Sequence, residues 1–133
     1  MSLVAVVTGD LMTLTRIAGI IHRLGHETYR ADHPAAVTLG ESADDVVAIL
    51  VSWDERETGW VDALRERAAH GQRGDEMPQV VLFGSHRDLD GHREARGAGL
   101  GRVVARSTLQ TELQRRLGGR DALTARGAPP ARR

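Results

Sequence analysis

The chain has 133 residues, long enough to bury an apolar core as one domain without disulfide or metal staples. It contains no cysteine, which excludes disulfides, thiolate catalysis and cysteine-ligated zinc, and its 18 basic residues are all arginine, which excludes lysine chemistry. Formal net charge is zero and 3% of residues are aromatic, which argues against a protein built to bind nucleic acid.

No apolar run approaches the roughly 20 residues of a membrane span, and no secretory pattern opens the chain, so a cytoplasmic protein without membrane contact is expected. Charge is unevenly spread. Residues 118–133 carry four arginines and one aspartate, net +3, which leaves −3 on the rest. That Gly-, Pro-, Ala- and Arg-rich stretch buries too little apolar area to offset its ordering, so 1–117 reads as the folded domain and 118–133 as a flexible basic tail.

Apolar strands and helical patterns alternate along the body, which implies βαβ units and a parallel sheet. Leu3–Val7 is the first strand, followed by Thr8, Gly9 and Asp10. A helix over about Leu11–Leu24 carries Leu14, Ile17, Ile20, Ile21 and Leu24 at helical spacing and stops at Gly25. Glu27–Ala31 is a short strand, and Pro34–Leu39 supports one turn or two before Gly40. Val46–Ser52, the most apolar run, reads as a central strand covered on both faces.

The third helical pattern runs over about Gly59–Ala69, with Val61, Leu64 and Ala68 inward. After the polar loop His70–Met77, Pro78 opens the fourth strand, Gln79–Phe83. A fourth helix, about Leu89–Arg96, is weak because Gly91 interrupts it and few residues point inward. Arg102–Arg106 is the fifth strand. The fifth helix, about Thr108–Leu117, has Ser107 as its expected N-cap and buries Leu109, Leu113 and Leu117. No internal repeat is present.

Five β–α units of this order and size resemble the receiver domain of bacterial two-component response regulators. Two stretches carry the resemblance: Val4–Gly25, with its strand, loop, amphipathic helix and turn glycine, and Gly97-Ala98-Gly99-Leu100-Gly101-Arg102-Val103-Val104, which is similar to the glycine–alanine turn into a receiver's fifth strand. The resemblance implies a doubly wound α/β fold, flavodoxin-like, with five parallel strands in the order 2-1-3-4-5 and helices on both faces. It also implies a site at the carboxyl ends of the strands: an acidic pair holding Mg²⁺, a phosphoacceptor aspartate, a Ser or Thr, and a Lys-Pro.

In this chain those positions are largely neutralised. The acidic pair falls on Thr8 and Gly9, and the phosphoacceptor on Ser52 (or Val51). The hydroxyl position falls on Gly84, beside Ser85, and the lysine on Ala105 or Arg106 with no proline after it. Asp10 and Asp54 lie off register; one residue along a strand moves a side chain about 3.3 Å and turns it to the other face. Mg²⁺ requires oxygens at about 2.0–2.1 Å, so no metal, cofactor or catalytic residue is expected.

Asp10 reads as the cap of the first helix, and Asp54, with Glu55 and Glu57, as helix-start acids ahead of the third. Ser52 reads as a packed strand-end hydroxyl. His22 and His26 have the spacing of a zinc pair, but Gly25 breaks the helix between them; His86 and His92 read as surface histidines. Trp53 and Trp60 are expected over the mouth of the former pocket or against a partner. Gly97, Gly99 and Gly101 imitate a phosphate cradle but precede a strand, so no helix dipole faces an anion.

The functional expectation is a stand-alone degenerate receiver, or pseudo-receiver, that is not an enzyme and acts through protein contacts independent of phosphorylation. By the resemblance, its partner or homodimer face is the fourth helix, fifth strand and fifth helix, here Arg93, Arg96, Arg102, Val104 and Gln110. A second reading is an atypical but competent response regulator, with Asp54 accepting phosphate and Asp10 helping to hold Mg²⁺. A third is a flavodoxin-like binder of a small ligand.

Overall fold

The structure, a computed structural model, describes residues 2–37, 45–70 and 79–118. The expectations for Gly40, Pro78, the polar loop after His70, the inward Ala68 side chain and the tail beyond Gly118 fall outside what it describes. Five strands, β1 (Ser2–Val7), β2 (Glu27–Ala31), β3 (Asp45–Ser52), β4 (Gln79–Gly84) and β5 (Val103–Ala105), form one sheet in the order β2-β1-β3-β4-β5. Every pairing is parallel, as the alternating pattern predicts, and the order is the one the receiver resemblance implies.

Parallel neighbours require crossovers: α1 (Leu11–Arg23) lies between β1 and β2, α2 (Trp60–His70) between β3 and β4 and α3 (Leu89–Gly97) between β4 and β5, while α4 (Leu109–Leu113) follows β5. Strand alternation sorts the core into two layers. Val4, Val6, Ala48, Leu50, Val81, Phe83 and Val104 meet Ile17, Ile20 and Ile21 of α1 and Leu109 and Leu113 of α4. Ala5, Val7, Ile49, Val51, Leu82 and Val103 meet Trp60 and Leu64 of α2 and Ala95 of α3. Each large aliphatic side chain buried this way contributes about 1.5–3 kcal/mol. The sheet is covered on both faces.

Several local expectations change. The second helical segment is a single 3₁₀ turn, Pro34–Ala36, capped by a His33 ring nitrogen that accepts from the Ala35 amide at 3.0 Å. Ser107 is not a helix cap. Arg106–Thr108 forms a 3₁₀ turn, α4 starts at Leu109 with Thr108 in the cap position, and the Thr108 hydroxyl donates back to the Ala105 carbonyl at 3.1 Å. α4 then widens into a π turn over Gln114–Gly118.

The tryptophans are core residues. Trp53 and Trp60 are 1% and 3% exposed, so neither lies over a pocket mouth or is free for a partner. Trp53 shares the parity of Ile49 and Val51, which turns its indole into the second layer. Of the histidines, His86 is exposed, whereas His92 is half-buried with its Nε2 3.1 Å from the Ser85 carbonyl. His26 is buried with neither ring nitrogen hydrogen-bonded among the described residues.

Candidate functional site

Parallel register places the carboxyl ends of the strands in one row. Val7 lies opposite Ala31 and Val51, Ser52 opposite Phe83, and Gly84 opposite Ala105. The residues that follow converge on one edge of the sheet, where open α/β folds place their sites.

At the β1 corner Thr8 is buried, and its hydroxyl donates to Glu55 Oε2 at 2.5 Å. The Gly9 amide donates to Glu55 Oε1 at 2.8 Å. Burial pushes the Glu55 carboxyl up, but the hydrogen bonds from Thr8 and Gly9 outweigh it and hold the group below its ordinary value. The carboxylate of this corner therefore comes from the loop after β3, not from β1.

Sequence reasoning reads Glu55 only as an acid preceding a helix. The reason it lies here is local: Trp53–Glu55 forms a 3₁₀ turn with Ser52 in the cap position. Three residues per turn place Glu55 over Ser52, on the Thr8 side of the sheet. Ser52 itself is fully buried, and its Oγ lies near Glu55 without a hydrogen bond of good geometry. It is a packed strand-end hydroxyl.

Asp10 caps α1. Its Oδ1 accepts from the Met12 and Thr13 amides at 3.0 and 3.5 Å, and its Oδ2 from the Thr13 hydroxyl at 2.8 Å. Those bonds, the Thr13 hydroxyl first, hold its pKa below the ordinary carboxylate value.

Asp54 departs from expectation, because it does not cap the third helical pattern. Both its oxygens lie 3.1 Å from the Ser85 amide, and Oδ2 lies 3.3 Å from Arg106 Nη2. Gly84 permits this reach, since a Cβ there would stand 2.7 Å from Asp54 Oδ1. The absent side chain at the hydroxyl position is thus the space the Asp54 carboxylate uses. Ala105, the other candidate for the lysine position, is the last residue of β5; Arg106 beside it carries the charge.

Every oxygen of Asp10, Asp54 and Glu55 accepts from a donor within the chain. This arrangement does not fit a Mg²⁺ ion, which needs converging oxygens at about 2.0–2.1 Å. Among the described residues no group of three His, Asp or Glu side chains is placed to hold a metal.

The loop bearing Asp54 and Glu55 is bound to α3. Trp53 Nε1 donates to the Gly91 carbonyl at 2.8 Å in a buried bond. Arg56 donates to Asp88 at 2.7 Å, to Glu94 at 2.7 Å and to the Trp53 carbonyl at 2.9 Å, with its guanidinium 5.4 Å from the Trp53 ring centre. A Cβ at Gly91 would stand 2.8 Å from Arg56 Nη1 and closer still to Asp88. The glycine that weakens α3 in sequence is therefore what lets the helix approach the loop.

On the expected partner face Arg93, Arg96, Arg102 and Gln110 are exposed. Val104 is 4% exposed and is removed from that face: strand alternation turns it into the α1–α4 layer beside Phe83. Arg93 pairs with Asp90 at 3.0 Å, and Arg102 stands 3.7 Å from Glu112. The buried Glu112 is held below its ordinary pKa by Arg116 and then Arg115, at 2.6 and 2.5 Å.

No protein-family model and no curated protein matches the sequence. A solved structure is similar: a response regulator receiver domain protein from Clostridium thermocellum, with a TM-score of 0.62 and 16% identity over 93% of this chain and 99% of that one. No helix among the described residues is long and apolar enough to cross a membrane. With the strand order, the two-layer core and this likeness together, the chain has the fold of a response regulator receiver domain.

Proposed function

We propose that the chain is a receiver-like signalling protein that works by protein–protein contact without aspartyl phosphorylation or catalytic turnover. One observation carries the reading: the carboxylates at the strand ends are bonded internally, Glu55 to Thr8 and Gly9, Asp54 to Ser85 and Arg106, Asp10 to the start of α1. Phosphoryl transfer depends on positioning and charge neutralisation, and a buried serine at the acceptor position supplies neither a carboxylate nor access.

The contact face of this proposal comprises α3, β5 and α4, through Arg93, Arg96, Arg102 and Gln110. Arg102 has 68% of its side chain exposed and its nearest carboxylate 3.7 Å away, which leaves most of its charge available. Arg102→Glu is expected to weaken self-association or partner association in sedimentation with the fold unchanged.

Incubation with acetyl phosphate and Mg²⁺ followed by intact-mass measurement tests the independence from phosphate. The expected spectrum shows no adduct. An adduct that disappears in Asp54→Asn overturns the proposal in favour of a phospho-accepting regulator, and one that persists overturns it in favour of another acceptor. A saturable small ligand at the strand ends would favour the flavodoxin-like reading.

A further inference from the structure

The turn after β3 sends four consecutive side chains to three different parts of the molecule. A 3₁₀ turn sets successive side chains about 120° apart, so those of residues 53, 54 and 55 splay in three directions. Residue 56 returns to the side of 53, which is why the Arg56 guanidinium lies 5.4 Å from the Trp53 ring centre. Those two point to α3 and its cap: Trp53 Nε1 donates to the Gly91 carbonyl at 2.8 Å, and Arg56 to Asp88 and Glu94 at 2.7 Å each. Asp54 points to the ends of β4 and β5, at the Ser85 amide and Arg106. Glu55 points to Thr8 and Gly9 at the β1 corner.

A turn this short moves as one body. Its own closure is a backbone hydrogen bond from the Arg56 amide to the Trp53 carbonyl at 3.2 Å. Rotation that frees Glu55 from the β1 corner carries Asp54 and Arg56 off their partners too. α3 has little apolar hold of its own, since it buries only Gly91 and Ala95. Bonds in a connected polar network support one another, and regions with few buried apolar contacts open in cooperative units below the global unfolding free energy.

We propose that the Trp53–Arg56 turn is a mechanical linkage: the β1 corner, the Ser85 end of β4 and the whole of α3 open and close as one unit, and Glu55 is the positioning residue that holds the unit shut. Arg93 and Arg96 ride on α3, so the unit sets whether that part of the contact face is formed. Reading the open state as unable to dock rests on the function proposed above; the linkage itself does not.

Native-state amide hydrogen exchange of the full chain, followed by NMR at stepped low denaturant, tests this. The Gly9, Arg56, Ser85 and α3 amides are expected to converge on one opening free energy below that of β1 and β3. Glu55→Gln and the milder Thr8→Val are expected to speed exchange across α3 by about tenfold or more, the effect of one lost charge-assisted hydrogen bond. Glu55 makes no hydrogen bond or ion pair with α3 among the described residues, so a purely local role would not move that readout. Asp10→Asn, whose carboxylate bonds only the start of α1, is expected to leave α3 unchanged. Four outcomes overturn the linkage: separate opening free energies in the wild-type chain, acceleration confined to Gly9 and Arg56, acceleration of α3 by Asp10→Asn as large as by Glu55→Gln, and equal acceleration in β1, β3 and α3. Should Glu55→Gln not fold, Thr8→Val decides alone. A phosphoryl adduct would overturn the proposed function and leave this result standing, so the two fail separately.

Discussion

α1 and α3 both follow a strand and pack on the same sheet, but they are held by different physics. α1 buries Ile17, Ile20 and Ile21, caps its first turn with Asp10 and ends at Gly25, whose φ of +92° suits the turn. α3 buries only Gly91 and Ala95. Its hold on the body is polar: the Trp53 indole on the Gly91 carbonyl, and Arg56 on Asp88 and Glu94. Apolar burial is non-directional and tolerates small shifts; a clamp of charge-assisted hydrogen bonds is directional and fails when one atom is in the way. The helix that carries Arg93 and Arg96 of the proposed contact face is thus the one whose position depends most on individual polar atoms.

Substitutions that separate the two modes break or sharpen this contrast. The largest effect is expected from Ile21→Ala, which empties a fully buried position on α1; chemical denaturation should show a loss of about 2–5 kcal/mol, with protection lost across the α1–α4 layer. Gly91→Ala comes next. In an unconstrained helix that change gains close to 1 kcal/mol, yet here the added methyl meets Arg56 and Asp88. A loss of about 1–3 kcal/mol is expected, with faster amide exchange over 89–97 and little change in β1 and β3. A stabilised Gly91→Ala variant would show that α3 is not clamped.

Arg56→Met retains apolar contact with the Trp53 ring and removes the charge. It is expected to cost about 1–2 kcal/mol at neutral pH, because Asp88 and Glu94 lose their donor.

Acid provides the smallest and most specific check. Hydrogen bonding by Arg56 holds the Asp88 carboxyl below its ordinary value, and Arg56, raised by the same pairing, does not titrate. A depressed carboxyl contributes stability that is complete above its unfolded pKa, about 4, and is lost as pH falls through the folded value. The gap between the wild-type chain and Arg56→Met should therefore narrow as pH drops below about 4. Glu55, also depressed, adds a loss in the same window that both chains share. A gap that widens in acid would remove the clamp from Asp88.

Much of the fold was legible in the residues. Continuous apolar runs in Val4–Val7 and Val46–Val51, helical spacing in Leu14–Leu24, and the alternation of the units mark the strands and a sheet covered on both faces, because burial acts on every apolar side chain alike. The emptied positions Thr8, Gly9 and Ser52 were legible through the resemblance to receivers, since Thr8 and Gly9 directly follow β1 and Ser52 ends β3. The destinations of Glu55 and Asp54 were not. A 3₁₀ turn of three residues decides which of two adjacent acids reaches Thr8 and which reaches Arg106, and such turns carry little periodic signal. Ser107 and the tryptophans failed similarly, through a second 3₁₀ turn and through the side of the sheet on which a loop residue emerges.

By itself the sequence determined βαβ units and a parallel sheet, since apolar runs and helical periodicity are local properties that sum along the chain, and its resemblance to receivers implied the doubly wound order and the uncharged β1 corner. Only the tertiary structure decided that Glu55 fills that corner, that Gly84 and Gly91 are clearances for Asp54 and for the Arg56 clamp, and that Val104 belongs to the core. Those facts depend on directional contacts between residues up to 52 positions apart, and such contacts exist only once the sheet has brought the strand ends together.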